Sequence, residues 1–579
     1  MLVWFVYRAV DLLRGEKSMK RGKLIIFMLT VLLAAIAVVF GKYEVGMRNF
    51  PFSVMVTSDG VQEELYCLKI ADEYYMFLPS YAEADKLRIC TNPVYDVYLD
   101  GQQLVNNQPL PDLQSDTKLE LYFHSLGSEG YETVTFVRSR NVATMHLNFP
   151  SGGIDYIHEK KDNEESASVY LYTKDGVLDY SGFAESVKSR GNALWEEEKK
   201  AYSLQLFGEA DLLKMGKAQR WILLANAYDS SHIRNKVVYD AAAAVGLPFS
   251  PESNWVDLYV NGEYRGLYQL SERNEIHPER VDIPKESGFL IAQDFLYNLI
   301  EQGYPHVVSE NGIALRVYHS SSDLEELKAC WQSVENAVLA EDGIDPVTGK
   351  SLEELIDLDS WIHKYLLEEL FANHDAGFGS QFYFCDTSES APKLYAGPIW
   401  DFDISMGNGG LMYNNPRSFV ANRMHYVSLD DVSLFYHLYQ KDIFYDRMVE
   451  LFESVYEPLI TDLVDNGIQN YADSIAQAVN ADRHRWYRGG SRYDVTPIVN
   501  FLRERLECFH ELWIDRKEYC MVEILDDEGL CNCWLVPKGD CLPELLYEET
   551  DQWSNTITGE IIDITQPILE NIRIQPMPQ

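Results

Sequence analysis

Leu394-Tyr-Ala-Gly-Pro-Ile-Trp-Asp401-Phe-Asp403-Ile-Ser-Met-Gly407-Asn408 sets two carboxylates, at i and i+2, at the end of an apolar run that reads as a strand, with a glycine turn directly after it. Hard oxygen donors at a strand end beside a flexible turn suit a magnesium ion, above all one that also holds phosphates. Upstream, Ala372-Asn-His-Asp375-Ala-Gly-Phe-Gly-Ser380-Gln381-Phe-Tyr-Phe carries a second acidic position, Asp375. Two acidic positions separated by a short strand–turn–strand point to a metal-dependent active site. A solvated turn with incidental carboxylates is the competing reading of the Asp-Phe-Asp string taken alone.

Helical runs at 321–340, 351–372, 431–464 and 467–482 surround these segments, whereas the preceding part of the chain is strand-rich. Thr144-Met-His-Leu-Asn-Phe149, Ala167-Ser-Val-Tyr-Leu-Tyr172 and Ala201-Tyr-Ser-Leu-Gln-Leu206 read as strands. Residues 232–245 read as a helix capped by Asp229 or Ser230 and stopped by Gly246 and Pro248. The run from Trp255 to Leu270 is a β-hairpin on the turn Asn261-Gly262, the strongest short-range hairpin signal. A β-rich lobe followed by a helical lobe, with metal-type carboxylates at their junction, defines an α+β arrangement with a cleft. Upstream, residues 43–128 show short alternating runs such as Phe52-Ser-Val-Met-Val56 and Lys118-Leu-Glu-Leu-Tyr-Phe123, the pattern of a small β-sandwich with an accessory role. Residues 526–579 form a C-terminal extension of short strands.

With 579 residues the chain has room for several domains, and 46% hydrophobic residues exclude wholesale disorder. The net charge of -41 argues against non-specific binding to nucleic acid or to anionic membrane surfaces, and it suits cations or a basic partner. Leu24 to Gly41 is an uncharged run of the minimum spanning length, preceded by Lys17, Lys20, Arg21 and Lys23 and followed closely only by Lys42 and Arg48. This predicts an uncleaved single-pass anchor at 24–41, a cytoplasmic segment 1–23 and an extracytoplasmic body at the cell membrane. Nine cysteines, an odd count, leave at least one outside any intrachain pair.

Ser189-Arg190-Gly191-Asn192-Ala-Leu-Trp195 offers a tight turn whose backbone amides can cradle phosphate. Lys200 begins the following alternating strand and can reach phosphate oxygens; Lys199 faces the opposite side. The chain holds neither Gly-x-Gly-x-x-Gly nor the Walker pattern. Asp482-Arg-His-Arg-Trp486 reads as a stabiliser of the lobe junction, with substrate contact as the alternative.

Arg190-Gly191-Asn192, Lys199-Lys200-Ala-Tyr202, Trp221-Ile-Leu-Leu-Ala-Asn226, Asp229, Arg234-Asn235, Gly262-Glu-Tyr-Arg-Gly266-Leu-Tyr-Gln-Leu-Ser-Glu272 and Gly397-Pro-Ile-Trp-Asp401-Phe-Asp403 occur in order. This series, within about 140–520, resembles the CotH kinase family, the spore-coat protein H-like atypical protein kinases of bacteria. The resemblance implies a divergent two-lobed protein-kinase-like fold over 134–525, using ATP and Mg2+ or Mn2+ to phosphorylate protein serines; a serine-rich, basic protein is the substrate expected of so acidic a chain. It implies Asp375 as the catalytic aspartate, Asp401 with Asp403 as metal ligands, and Lys200, Arg190, Asn192 and Glu272 around the nucleotide. Phe378-Gly-Ser380-Gln381 departs from the pattern, because ordinary kinases supply an asparagine to a second metal there. The alternative function is a catalytically inactive cell-envelope protein that binds an assembly partner through the same fold. A reporter fused to the C-terminus is expected to signal from outside the membrane; a cytoplasmic signal would reverse the topology.

Overall fold

Seven strands with antiparallel neighbours cannot close into a ring without one exception, because six reversals return the chain to its starting direction. The barrel of this protein meets that constraint. Its strands run in the order Ala143–Asn148, Glu164–Tyr172, Leu178–Arg190, Ala201–Asp211, Lys217–Leu224, Glu263–Glu272 and Ser253–Val260. The last strand closes on the first in parallel, with Met145 opposite Leu258, and every other pair is antiparallel. Alternating residues including Met145, Leu147, Val169, Leu204, Trp221, Leu223, Leu258 and Leu270 form one buried cluster that fills the barrel. The hairpin on Asn261-Gly262 is present, with both turn residues at positive φ (47° and 83°), as a two-residue turn matched to strand twist requires.

The computed structural model describes residues 50–191, 195–321, 323–409, 414–425, 432–486, 494–525, 531–542 and 552–577. The predicted cytoplasmic segment and anchor lie outside these residues. Among the described residues, no helix is long and apolar enough to cross a membrane. The chain divides into a unit ending at Val137, residues 79–81 excepted, and a second unit from Arg138 onward. The first unit contains a three-stranded and a six-stranded sheet; Val54, Val56, Ile89, Val97, Leu121 and Val134 are among its buried residues.

In the second unit the architecture is α+β. Beyond the barrel, a five-stranded antiparallel sheet runs in the order His306–Val308, Ala314–Ser320, Gly288–Gln293, Gln381–Asp386 and Tyr395–Ala396. Its two central strands are almost wholly buried, which matches their near-continuous apolar sequences. Helices Leu324–Leu339, Leu358–Leu370, Ile468–Trp486 and Thr496–Trp513 contribute to the same core as this sheet, with Trp331, Trp361 and Trp513 fully buried in it. The helix Thr496–Trp513 is an element the sequence reading did not single out; Pro497 sits in its first turn, where a missing N–H costs nothing. A further sheet of six strands uses the pair Tyr519–Leu525 and Cys531–Pro537 at its centre.

Barrel and helices are tied by a buried ion pair. Lys199 Nζ lies 2.6 Å from Asp482 Oδ1 and donates also to the Leu267 carbonyl; both charged side chains are essentially sealed from water. Asp482 accepts the Leu267 N–H as well, and His232 Nε2 stands 3.2 Å from its second oxygen. Gly266, at φ +114°, makes this approach possible: a Cβ there would meet Asp482 Oδ1 at 2.3 Å. Trp486 Nε1 donates to the Arg265 carbonyl one helical turn on. The segment 482–486 therefore stabilises the junction through backbone contacts to the barrel hairpin.

Burial alone would raise the Asp482 carboxyl, but Lys199 and His232 outweigh it and hold it well below the ordinary carboxylate range. Its stabilising contribution is present above the ordinary value of 3.8 and is lost as the pH falls below it. Removing one member strands the other charge, so Asp482→Asn or Lys199→Met is expected to lower unfolding free energy in urea by about 3–5 kcal/mol. The double variant Lys199→Met/Asp482→Asn should be less destabilised than the sum of the single changes, and simple additivity would refute the coupling.

Candidate active site

Two central strands bring the site together by register. Gln293 pairs with Gln381, so the next residues outward, Asp294 and Ser380, emerge side by side at one end of the sheet. Ser380 Oγ donates to Asp401 Oδ2 at 3.2 Å. Asp375 sits in the turn that leads into the same strand, where its carbonyl accepts Phe378 N–H and Gly379 N–H at 3.0 and 2.9 Å. Gln293 and Gln381 brace that turn from below, through their amides to the carbonyls of Gly377 (3.0 Å) and Gly379 (2.7 Å). The turn is also stitched to the Asp401 segment: His374 N–H donates to Ile404 O at 3.0 Å and Met406 N–H to Phe371 O at 2.8 Å. His374 Nδ1 lies 3.2 Å from Asp375 Oδ1.

Asp401 holds a left-handed backbone, φ +71°, unusual for a residue other than glycine. Neighbouring residues compel it. Phe402 N–H donates to Asn235 Oδ1 at 2.7 Å, and Arg234 Nε donates to Ser405 O at 2.9 Å. Both grips come from the first turn of the helix Arg234–Ala244, whose Arg234 N–H is accepted by Asp229 at 2.9 Å. Asn235 in turn donates to Asn226 Oδ1 (3.3 Å), Asn226 to Gln269 Oε1 (3.3 Å) and Gln269 to Ser253 Oγ (2.8 Å). All four side chains in this relay are buried. It runs from the barrel wall to the amide next to Asp401.

Electrostatically the site is overloaded with negative charge. The Asp401 carboxyl is pushed up to about 6, first by enclosure within protein and then by Asp375, with Arg190 and the Ser380 hydroxyl pulling against them and Asp294 adding to the rise. The residue is nonetheless exposed to solvent. Asp403 is buried and raised well above its usual range, by burial, then by Asp401 and Asp229. Asp294, whose Oδ1 accepts the Phe295 N–H at 2.7 Å, is raised by burial and by Asp375. On the other side Arg190 lies over the Trp400 ring at 5.6 Å, with Tyr239 stacked on the same indole at 5.9 Å. Arg190 Nη1 is buried without a hydrogen-bond partner.

The donor set fits a chelated divalent cation and phosphate. Asp401 and Asp375 supply hard oxygens, and the orphaned Arg190 N–H is a cationic donor of the kind that pairs with phosphate oxygens. Among the described residues, no three carboxylate, thiol or imidazole groups stand close enough to enclose a metal unaided.

The other sequence-predicted residues are placed as follows. Lys200 Nζ donates to the carbonyls of Trp195 and Glu197 and sits 4.7 Å from the Trp195 ring centre, within its own loop. Lys199 is the buried partner of Asp482. Glu272 is ion-paired with Arg280 and accepts the Glu252 N–H at 2.9 Å; burial raises its carboxyl to about 7 against the pull of Arg280. Asn192 lies outside the described residues. Asp294 and Tyr239 were not singled out from the sequence, because a lone aspartate after a buried strand and a tyrosine inside a helix carry no local signature.

The family model for CotH kinase protein matches residues 187–509, more than half of the chain, and the protein belongs to the CotH kinase family. The matched span opens just before Arg190 and contains each of the site segments described above. No curated protein matches the chain. Replacing Asn235 by leucine would leave the Phe402 N–H buried and unpaired; a loss of about 1–3 kcal/mol in urea-monitored stability is expected. An unchanged midpoint would show that the relay does not hold the Asp401 segment.

Proposed function

We propose that this chain is a metal-dependent phosphotransferase that moves the terminal phosphoryl group of ATP to serine hydroxyls of a protein substrate, from a body anchored at the cell membrane by residues 24–41. The observation that carries the reading is the convergence of Asp375, Asp401 and Ser380 beside an orphaned guanidinium N–H. Membership of a kinase family supports it.

In this reading Asp401 holds Mg2+ or Mn2+, with Asp403 and Asp294 as further carboxylates near it. The bound metal would supply charge neutralisation on the phosphates, the main requirement of phosphoryl transfer. Arg190 contributes donors to the phosphates from its seat on Trp400. Asp375 accepts or orients the serine hydroxyl proton, held by the Gly377–Gly379 turn. Ser380 stands where ordinary kinases place asparagine and orients Asp401 through its hydroxyl instead. Lys200, Asn192 and Glu272 remain proposed nucleotide contacts; for Lys200 and Glu272 this requires the side chains to leave their present partners.

The test is incorporation of labelled phosphate into a serine-rich basic protein with Mg2+ or Mn2+. Asp375→Asn and Asp401→Asn are expected to reduce it by at least about 100-fold, the scale of losing a catalytic group; equal incorporation by wild type and both variants would sink the reading. ATP plus metal should raise the melting temperature of wild type and of Asp375→Asn, but not of Asp401→Asn.

A proton competes with the cation for Asp401. Its folded value of about 6 lies above the ordinary 3.8, so the stability that protonation gives the metal-free chain is fully present below 3.8 and is lost as the pH rises through about 6. The thermal shift induced by Mn2+ is therefore expected to be full near pH 7.5 and to shrink as the pH falls through about 6. A shift independent of pH over that window would exclude Asp401 as a ligand.

A further inference from the structure

Beside the carboxylates stands a short helix, Leu296–Glu301, which exposes three large apolar side chains beside the acidic Glu301: Leu296 is 38% exposed, Tyr297 67% and Ile300 62%. Only Leu299 anchors it to the core. Large apolar groups presented together to water mark an interaction surface more often than chance exposure. Its position is defined by contacts. A Cβ added at Gly379 would lie 2.8 Å from Phe295 Cε2 and 3.3 Å from Asp375 Cβ, so the Phe295 ring and Asp375 meet across that glycine. Phe295 stacks on Tyr297 with ring centres 5.8 Å apart. The apolar face thus continues directly from the catalytic-site turn.

We propose that Leu296, Tyr297 and Ile300 form the docking surface for a large apolar residue flanking the acceptor serine in an extended, basic segment of the substrate polypeptide. The inference rests on the phosphotransferase reading of the same site and names its substrate. Charge selects the occupant: Asp375, Asp294 and Glu301 all bear on the Tyr297 phenol, whose titration is raised by enclosure first and by these carboxylates after it. Basic residues on either side of an apolar one would meet that ring of acid. A second copy of the chain, at net charge -41, would be repelled by it.

The experiment uses the full chain without nucleotide and fluorescein-labelled peptides rich in lysine and arginine, each with one central serine and either leucine or glycine at a single flanking position. Binding is read by fluorescence anisotropy. At one flanking position leucine should tighten binding about tenfold, and the double variant Tyr297→Ser/Ile300→Ser should reduce that advantage to less than about twofold. Phe207→Ser, which removes an equally exposed apolar group from the barrel, should retain it. No leucine preference in wild type, or a preference that survives the double variant, overturns the proposal. Self-association of wild type that the double variant abolishes also overturns it, by naming a second copy as the occupant. Because the readout needs no turnover, a failure of phosphate transfer would remove the catalytic reading while this comparison still stands or falls on its own data.

Discussion

The constraint on which the site depends is the grip on the Asp401 segment, in which the side chain of Asn235 accepts the Phe402 N–H. Asp401 occupies a backbone region that L-residues avoid, at a cost of order 1–3 kcal/mol, and such a conformation persists only where the surroundings over-determine it. Here they do. Arg234 takes the Ser405 carbonyl, Asn235 takes the Phe402 amide, and Asn408 takes the Asp403 carbonyl at 2.7 Å. Because Asn235 is itself oriented through Asn226, Gln269 and Ser253, the direction of every amide in the relay is prescribed by its neighbour. The family motifs around Asn226, Asp229, Arg234-Asn235 and Asp401 are thus one physical object, a scaffold that aims a carboxylate.

The same scaffold explains why so much acid is tolerated in one place. Asp375 raises the titration of Asp401, Asp403 and Asp294, Asp401 raises that of Asp403 and Asp294 that of Asp401, and bare repulsion of this kind destabilises a fold. Among the described residues Arg190 opposes it at Asp401 as a cation, and that guanidinium retains an unspent donor. Such a balance favours any ligand that brings positive charge to the carboxylates together with negative charge to the arginine. A metal–triphosphate chelate has both, in fixed proximity.

How far the sequence made this legible depends on whether the signal is local. Asp375, Asp401 and Arg190 stand in unusual strings, which single them out as candidates from the sequence alone. The helix at 232–245 and the Asn261-Gly262 hairpin were readable for the same reason, since caps and turns are local chemistry. Barrel closure was not, because nothing in Ala143–Asn148 signals a parallel partner more than a hundred residues away. Asp294 was invisible because its role comes from register: it matters only once Gln293 is opposite Gln381. Lys199 and Lys200 show the boundary most clearly. Alternation separates them onto opposite faces, but which face meets the helix Ile468–Trp486 is decided by tertiary packing.

That packing gives the two lysines different jobs. Lys199 is fully committed, with its charge cancelled by Asp482 and its position dictated by the missing Cβ of Gly266. Withdrawing it would strand a buried carboxylate beside His232, a cost of several kcal/mol that no exposed ligand contact repays. Lys200 is held by two carbonyls of its own loop and by the face of Trp195, interactions that water or phosphate oxygens replace at little cost. Of the pair, Lys200 is the one whose ammonium is free to follow a ligand, whereas Lys199 works by keeping the barrel registered on the helix that closes it.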